Sequence, residues 1–469
     1  MSWLSAFADQ QQATSPWQDR LFLKLLLAAL GLRFLVAVGL WLTVAYLGSH
    51  DPIIVLAERL RAIDAMTYHN EAMGILDYWR GDRANINTYV FSSFLAWLYR
   101  LAAAHPLAMS AFATICYLGV GLLAYGLAAS LSRSQGQARA VSLIICLWPS
   151  SVAWSVLPLK DPLVMLAIFS FLFLLLKLGR LHWQQFTTWL PVILGLAASV
   201  VVLVFLRSYL WYLMAAVAVM PLLGRLLPAK EGQRPAWLGL LAATLVALVI
   251  IGAALPLKQI TYIQYGKQQP VPPIVKSKPA PEPAPKAASR PRKEFSKQSW
   301  AEKIFRTLTD TRQQFAKYGG ASLSPEARRG GGQVSLRGQF DTWQESIGTI
   351  ASLLKAASRD LLLFPYPWQR WPSGPLRPAN LLVAFQSIIW YLLLPGLAAG
   401  LFIGLRKRPG TTLTVIAWGL GLGLVLGVAI LNRGTLFRLR EMALIPLILL
   451  WHPWPYEKLW TWIKPDPKR

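Results

Sequence analysis

Long apolar runs recur along the chain and are separated by short polar segments. Several have the length of roughly 17–25 residues that a helix needs to cross a bilayer. The pattern predicts about ten spans, near residues 32–48, 107–130, 138–156, 162–180, 187–205, 209–227, 236–257, 381–405, 411–431 and 437–452. Residues 17–31 either lie along the interface or lengthen the first span. The predicted fold class is an all-α polytopic membrane protein.

Composition agrees with this class. Hydrophobic residues make up 55% of the 469 positions and charged residues only 14%, whereas soluble proteins carry roughly a quarter charged residues. Many of the 21 Trp lie near the ends of apolar runs, as in an interfacial aromatic belt. Cys116 and Cys146 fall inside apolar runs, which indicates packing rather than a disulfide framework.

The short loops predict the orientation. With a cytoplasmic N-terminus, the inside segments are all basic: 132–139, 177–184, 224–235, 406–410 and the C-terminal tail. This is the bias that cytoplasmic loops show. Lys24 and Arg33 are then expected to snorkel toward the interface. The two large segments 49–106 and 258–380 are predicted to lie outside.

Three parts of the chain follow: an N-terminal membrane module 1–257 with the first outer loop 49–106, an outer loop 258–380, and a C-terminal membrane module 381–469. The loop 258–380 holds 20 Lys and Arg against 8 Asp and Glu. Its Pro-rich start predicts a partly disordered tether. The positive charge could bind anionic lipid, a polyanionic glycan or a protein partner, or could simply be solvated. Nucleic acid is not an expected partner.

Charged residues also gather at the outer mouths of very short connections, where few loop residues solvate them. They are Lys160, Asp161, Arg207, Arg433, Arg438 and Arg440. Charges at a bilayer edge are costly without compensation. An anion between arginines at a helix N-terminus would provide it, and phosphate suits Arg well. Alternatively the arginines pair with Glu441, Asp161 or lipid phosphate.

Two further patterns, in residues 62–76 and at Asp161–Pro162, can be explained either by a functional site or by local structure. In a helix over 62–76, Asp64, Tyr68 and Glu71 share one face, and His69 lies to one side. This face is either part of a functional site or the solvated acidic face of an ordinary interfacial helix. Asp161 before Pro162 is typical of a helix N-cap. No metal-ligand spacing or nucleotide-binding loop occurs. No cofactor is therefore assigned, and a divalent metal stays open.

The motifs "DAxxYHxxA" (64–72), "WPSSxxWSxxxLKDPL" (148–163), "FLRSYL" (205–210) and "NRGTLFRLR" (432–440) together resemble bacterial membrane glycosyltransferases of the GT-C superfamily. The nearest likeness is to relatives of protein O-mannosyltransferases and of the lipid A aminoarabinose transferase. The resemblance covers most of the chain outside 258–380. It implies a GT-C-like fold in a bacterial inner membrane, with the active face extracytoplasmic.

The resemblance also implies a reaction. A sugar on a polyprenyl phosphate or diphosphate would pass to an envelope acceptor, as in polysaccharide biosynthesis. Asp64 would act as the base, and the cations would stabilise the leaving phosphate. Tyr68, His69 and Glu71 would shape the sugar or acceptor site. Asp64 is followed by Ala65, whereas many relatives carry an adjacent acidic pair, and this weakens the case for a metal.

Three other functions fit parts of the same pattern. The first is a polysaccharide polymerase or ligase that uses lipid diphosphate-linked glycans. The second is a non-catalytic membrane scaffold that binds lipid phosphate without needing Asp64. The third, a transporter, is disfavoured because the polar residues gather at one face and not at the membrane midplane.

Overall fold

The computed structural model describes residues 15–46, 52–59, 63–82, 86–132, 134–178, 186–207, 210, 213–218, 220, 262–265, 378–429 and 438–456. Within them the helices are α1 (Arg20–Tyr46), α2 (Pro52–Arg59), α3 (Ile63–Arg80), α4 (Val90–Ala102), α5 (Pro106–Ser132), α6 (Gln135–Cys146), α7 (Pro149–Trp154), α8 (Asp161–Leu178), α9 (Phe186–Leu206), α10 (Pro378–Lys407), α11 (Pro409–Ala429) and α12 (Glu441–Leu447), which continues as a 3₁₀ turn, Ile448–Leu450. Two strands, β1 (Ile86–Tyr89) and β2 (Tyr262–Tyr265), complete the fold.

Five helices of the described part are long and apolar enough to cross a membrane. They are Arg20–Thr43, Pro106–Ser132, Asp161–Leu178, Leu381–Lys407 and Pro409–Leu426. Shorter apolar helices cover Val90–Ala102, Leu190–Leu206 and Glu441–Leu450. The chain is therefore a mostly helical protein with the character of a membrane protein, as predicted. The number of spans stays a prediction, because 236–257 and most of 209–227 lie outside the described residues.

Several element boundaries differ from the prediction. Residues 17–31 lengthen the first span, since α1 runs without a break from Arg20. The predicted span 138–156 is instead two helices, α6 and α7, separated at Leu147 and Trp148. Pro149 starts α7 because proline suits a first helical turn but lacks the N–H that a helix interior needs.

Contacts near the helix ends bring some of the predicted inside segments together. Arg408, next to α10, donates to the carbonyl of Ser130 at the end of α5. Gln137 of α6 donates to the carbonyl of Trp451. Asp19 caps α1 through the N–H of Phe22 and forms a buried ion pair of 2.8 Å with Arg139. These contacts put three of the predicted cytoplasmic segments at one end of the bundle.

At another place two predicted outer segments meet. β1 of the first loop pairs antiparallel with β2, so that Ile86 faces Tyr265 and Tyr89 faces Tyr262. This pairing joins the loop 49–106 to the start of the loop 258–380. No part of the sequence pattern predicted this small ribbon; apart from 262–265 and 378–380, the loop 258–380 lies outside the described residues.

Arg33 does not snorkel. It is fully buried in the middle of α1 and donates to the carbonyl of Cys146 at 3.0 Å and to the Ser151 hydroxyl at 3.2 Å. Its guanidinium lies 3.7 Å from the centre of the Tyr117 ring. The expectation was wrong because the break between α6 and α7 exposes carbonyl groups inside the bundle, and a buried guanidinium satisfies them.

Close packing in the C-terminal module depends on glycine. On α10, Gly400 lies against the carbonyl of Leu450, and a Cβ at this position would overlap that oxygen. One turn earlier, the Gly396 carbonyl accepts the N–H of His452 at 3.0 Å. The missing side chain lets the two backbones approach, as small residues do between membrane helices.

We expect Gly400→Ala to destabilise the protein by about 1–3 kcal/mol, because the added methyl group must push the 3₁₀ turn away. The measurement is thermal unfolding in detergent. Gly39→Ala on α1 is the matched control, since no atom lies within 4 Å of its added Cβ. Equal melting temperatures for the two variants would contradict the packing argument.

Candidate functional site

Five charged residues from separate parts of the chain meet in one place. They are Asp64 near the start of α3, Lys160 and Asp161 at the start of α8, Arg207 at the end of α9, and Arg438 before α12. We call this set the charged cluster. The sequence predicted all five as candidate site residues, and the fold brings them together.

Arg438 stands at the centre of the charged cluster. Its Nη2 forms an ion pair with Oδ2 of Asp64, and its Nε lies 3.5 Å from Oδ2 of Asp161. The guanidinium side chain is only 11% exposed, whereas that of Asp64 is 47% exposed. Arg438 therefore lies deeper in the protein than Asp64, and the Asp64 carboxylate remains accessible to a ligand.

Asp161 ties two arginines together. Its Oδ1 accepts from Nη2 of Arg207 at 2.8 Å. Helix geometry favours this pair, because Asp161 lies at the positive N-terminus of α8 and Arg207 at the negative C-terminus of α9. The N-cap prediction for Asp161 is wrong by one residue: the Lys160 carbonyl accepts the N–H of Val164 at 3.0 Å, and α8 begins at Asp161. The Asp161 side chain is thus available for the arginines.

Lys160 differs from the two arginines. Among the described residues no carboxylate lies within ion-pair distance of its ammonium group, and Nζ lies 5.4 Å from the centre of the Tyr68 ring. Burial, together with the positive charge of Arg207, lowers the pKa of Lys160 to about 7 despite Asp161 and Asp64. Lys160 is therefore only partly protonated near pH 7, and an anionic partner would raise its pKa.

The charge balance also determines the state of Asp64. Burial by itself would raise the pKa of its carboxyl, but the attraction and hydrogen bond of Arg438, with Arg207 and Lys160 adding to it, hold the pKa below its usual value. Asp64 is ionised at neutral pH. With Lys160 protonated, the cluster has three cations and two carboxylates, and so one surplus positive charge.

The remaining candidates on α3 divide into two groups. Tyr68 reaches the cluster, since its ring lies beneath Lys160 and packs edge-on against Tyr89 and Phe91. Burial raises the pKa of Tyr68, so its hydroxyl stays protonated. His69 and Glu71 point elsewhere.

His69 and Glu71 instead hold the first loop together. His69 is buried, with Nδ1 2.9 Å from the Tyr99 hydroxyl of α4. Glu71 accepts the N–H of Tyr89 at 3.1 Å and the hydroxyl of Ser92 at 2.6 Å. The geometry does not favour the prediction that both residues line the site, because their polar atoms contact α4 and its junction with β1.

The arginines of the segment 432–440 also separate. Arg440 is 2% exposed, and its charge interacts with its neighbour Glu441 and with Tyr391 of α10 rather than with a carboxylate of the charged cluster. Arg433 lies outside the described residues, as do the predicted turn and cap at Gly434 and Thr435. Of the three arginines, the structure assigns only Arg438 to the cluster.

Apart from Asp161 and Arg438, the residues that line the cavity next to the charged cluster were not predicted from the sequence. A small cavity beneath Asp161 and Arg438 is also lined by Tyr117, Trp154 and Glu441. Trp154 belongs to the quoted motif "WPSSxxWSxxxLKDPL", and Glu441 was considered only as an ion-pair partner. Nothing in the local pattern of α5 distinguishes Tyr117 from a core residue.

No metal centre is evident in the part of the chain that the structure describes, where no three His, Cys, Asp or Glu side chains converge. Comparisons with protein-family models, with curated proteins and with solved structures found no match. The class of the protein is therefore argued from its fold and its charged cluster alone. It is a polytopic helical protein of membrane character, with a cationic site at one end of its helix bundle.

We expect anion binding at the charged cluster to weaken as pH rises from 6 to 9, because Lys160 loses its proton near pH 7. Loss of one charged hydrogen bond is worth about 1.5–3 kcal/mol, which corresponds to roughly tenfold or more in affinity. A dialkyl phosphate is the probe, since its single charge does not change over this range. Binding is measured by calorimetry in nanodiscs.

Lys160→Arg should flatten this profile, since the guanidinium stays charged throughout. Asp64 is ionised, Arg207 and Arg438 are cationic, and Tyr68 is neutral over this interval. Glu441 lies beneath Arg438 and is a second titratable group close to the cluster, so the comparison is made in a Glu441→Gln background. An unchanged slope in Lys160→Arg would show that another group governs the pH dependence.

Proposed function

We propose that the protein is a glycosyltransferase that moves a sugar from a polyprenyl-phosphate carrier to an envelope acceptor. The observation that carries the proposal is the charged cluster, in which a half-exposed carboxylate, Asp64, lies among the cations Lys160, Arg207 and Arg438. Acceptor activation needs a base, and departure of a lipid phosphate needs cations close to it. The cluster offers both within one site.

The Asp64 carboxylate removes the proton of the acceptor hydroxyl, and the hydroxyl oxygen attacks the anomeric carbon of the sugar. The bond between that carbon and the phosphate oxygen breaks, and its electron pair leaves with the polyprenyl phosphate. Lys160, Arg207 and Arg438 stabilise the added negative charge on the phosphate.

Because Asp64 is paired with Arg438, the donor must bind before the acceptor hydroxyl is activated. A carboxylate bound to a guanidinium is a poor base, because the pair favours its ionised form. A donor phosphate competes for Arg438 and brings negative charge close to Asp64. Donor binding thus releases the carboxylate and raises its pKa, so the acceptor is activated only when a donor is present.

The location of the reaction belongs to the same proposal. We propose a bacterial inner membrane with the charged cluster on the extracytoplasmic side, in a GT-C-like fold. The pairing of β1 with β2 supports a common side for the first loop and the start of the basic loop 258–380. Membrane lipids, and an envelope polysaccharide or protein partner at this loop, remain predictions.

We expect Asp64→Asn to reduce sugar transfer by roughly 10²–10⁴-fold, the usual contribution of a general base, while donor binding persists. Arg438→Ala should weaken donor binding as well as transfer. The assay uses purified protein in nanodiscs, a panel of radiolabelled polyprenyl-phosphate sugars and crude envelope acceptor.

Asp77→Asn is the matched control. Asp77 lies on α3 like Asp64, has a side chain that is 45% exposed, and pairs with Arg80 away from the cluster. It should transfer sugar at the wild-type rate. Equal transfer by wild type and Asp64→Asn would contradict the assigned base. Elongating products would favour a polymerase or ligase, and donor binding without transfer across the panel would favour the scaffold.

A further inference from the structure

A cavity of about 10 Å³ lies directly beneath the charged cluster. Asp161 and Arg438 of the cluster line it together with Trp154 and Glu441. Trp154 and Glu441 are 9% and 7% exposed. The cavity therefore connects the cation that holds Asp64 with two buried polar side chains that the proposed reaction does not use.

Each of these four side chains has a buried polar atom without a hydrogen-bond partner among the described residues. Two are donors, Nε1 of Trp154 and Nε of Arg438, and two are acceptors, Oδ2 of Asp161 and Oε1 of Glu441. The 3.5 Å approach between Arg438 and Asp161 is an ion pair, but it does not satisfy either atom as a hydrogen bond. Buried polar atoms are rarely left in this state.

We infer that the cavity is a hydration site for one tightly bound water molecule. A water accepts two hydrogen bonds and donates two, which matches the two donors and two acceptors around the cavity. Its volume is at the lower limit of the roughly 10–15 Å³ that a single water needs. A second molecule would not fit, so the same water contacts all four side chains.

The bound water gives Trp154 and Glu441 a role as positioning residues. Arg438 is held on one edge by the water at Nε and presents Nη2 to Asp64 on the other. Glu441 and Trp154 orient the water and, through it, the guanidinium. Losing this support leaves Arg438 charged but less well ordered for an anion. The effect on lipid-phosphate binding rests on the proposed function, whereas the water itself depends only on the cavity.

The first test is a cryo-EM map of the full chain in nanodiscs, at a resolution that shows other ordered waters. The wild type should show one density peak within hydrogen-bond distance of all four atoms. Trp154→Phe should lose it, because the ring remains but the N–H donor is gone. Trp148→Phe is the matched control, since its Nε1 is also buried without a partner but does not line this cavity. No peak in the wild type would overturn the inference.

The second test measures affinity for farnesyl phosphate in Glu441→Gln and Glu441→Leu. Both variants leave the side chain uncharged, but only Gln keeps an oxygen that accepts from the water. Glu441→Leu and Trp154→Phe should bind about tenfold more weakly than Glu441→Gln and Trp148→Phe respectively, the effect of losing one hydrogen bond, with similar melting temperatures within each pair. Equal affinities within both pairs would overturn the positioning role.

The two tests separate the failure of this inference from the failure of the proposed function. If wild type shows the water but does not bind farnesyl phosphate, the donor class of the proposed function is wrong, and the positioning role falls with it. If wild type binds farnesyl phosphate and its map shows no water, the function stands and the hydration site is wrong.

Discussion

The organisation of this end of the bundle depends on keeping the Arg438 guanidinium compensated while it is almost buried. Arg438 and Asp64 are 374 positions apart in the chain, so their ion pair links the first loop to the C-terminal module. Through Asp161 the same arginine is connected to α8 and, by way of Arg207, to α9. Removing Asp161 would leave two almost buried arginines without the carboxylate they share, which is strongly destabilising. The network is therefore a structural connection between segments as well as a site.

Buried charge is handled differently elsewhere in the bundle. At the other end, Asp19 satisfies Arg139, the Phe22 N–H and the Tyr125 hydroxyl at once. Its polar contacts are all made within the protein, and it is 4% exposed. The charged cluster has the opposite character, because Asp64 is half exposed and Lys160 has no carboxylate partner among the described residues. A closed network stabilises the fold, whereas an open one keeps capacity for a ligand.

Sequence patterns predicted the parts of the structure that depend on local chemistry. Apolar runs indicate α5, α8 and α11 because their lengths match a bilayer, and charges at short connections indicate Lys160 and Arg207. Arg33 could not be interpreted correctly, because its partners are carbonyl groups exposed by a helix break more than a hundred positions away. The pairing of β1 with β2 depends on two four-residue strands separated by most of the N-terminal module. The site role expected of His69 and Glu71 came from the family resemblance, and helix spacing gives a face of the helix but not the partner packed against it.

The charged cluster combines a fold-stabilising pair and a reactive group in the same two side chains, and this creates a conflict. The closer Arg438 holds Asp64, the more stable the junction and the weaker the carboxylate as a base. A ligand with its own negative charge resolves the conflict, because it replaces the carboxylate as the partner of Arg438 without leaving the guanidinium uncompensated. A neutral ligand would have to break the pair with Asp64 and leave Arg438 with only the 3.5 Å approach of Asp161. The geometry of the site thus favours anions for an electrostatic reason that applies whether the bound anion reacts or is only held.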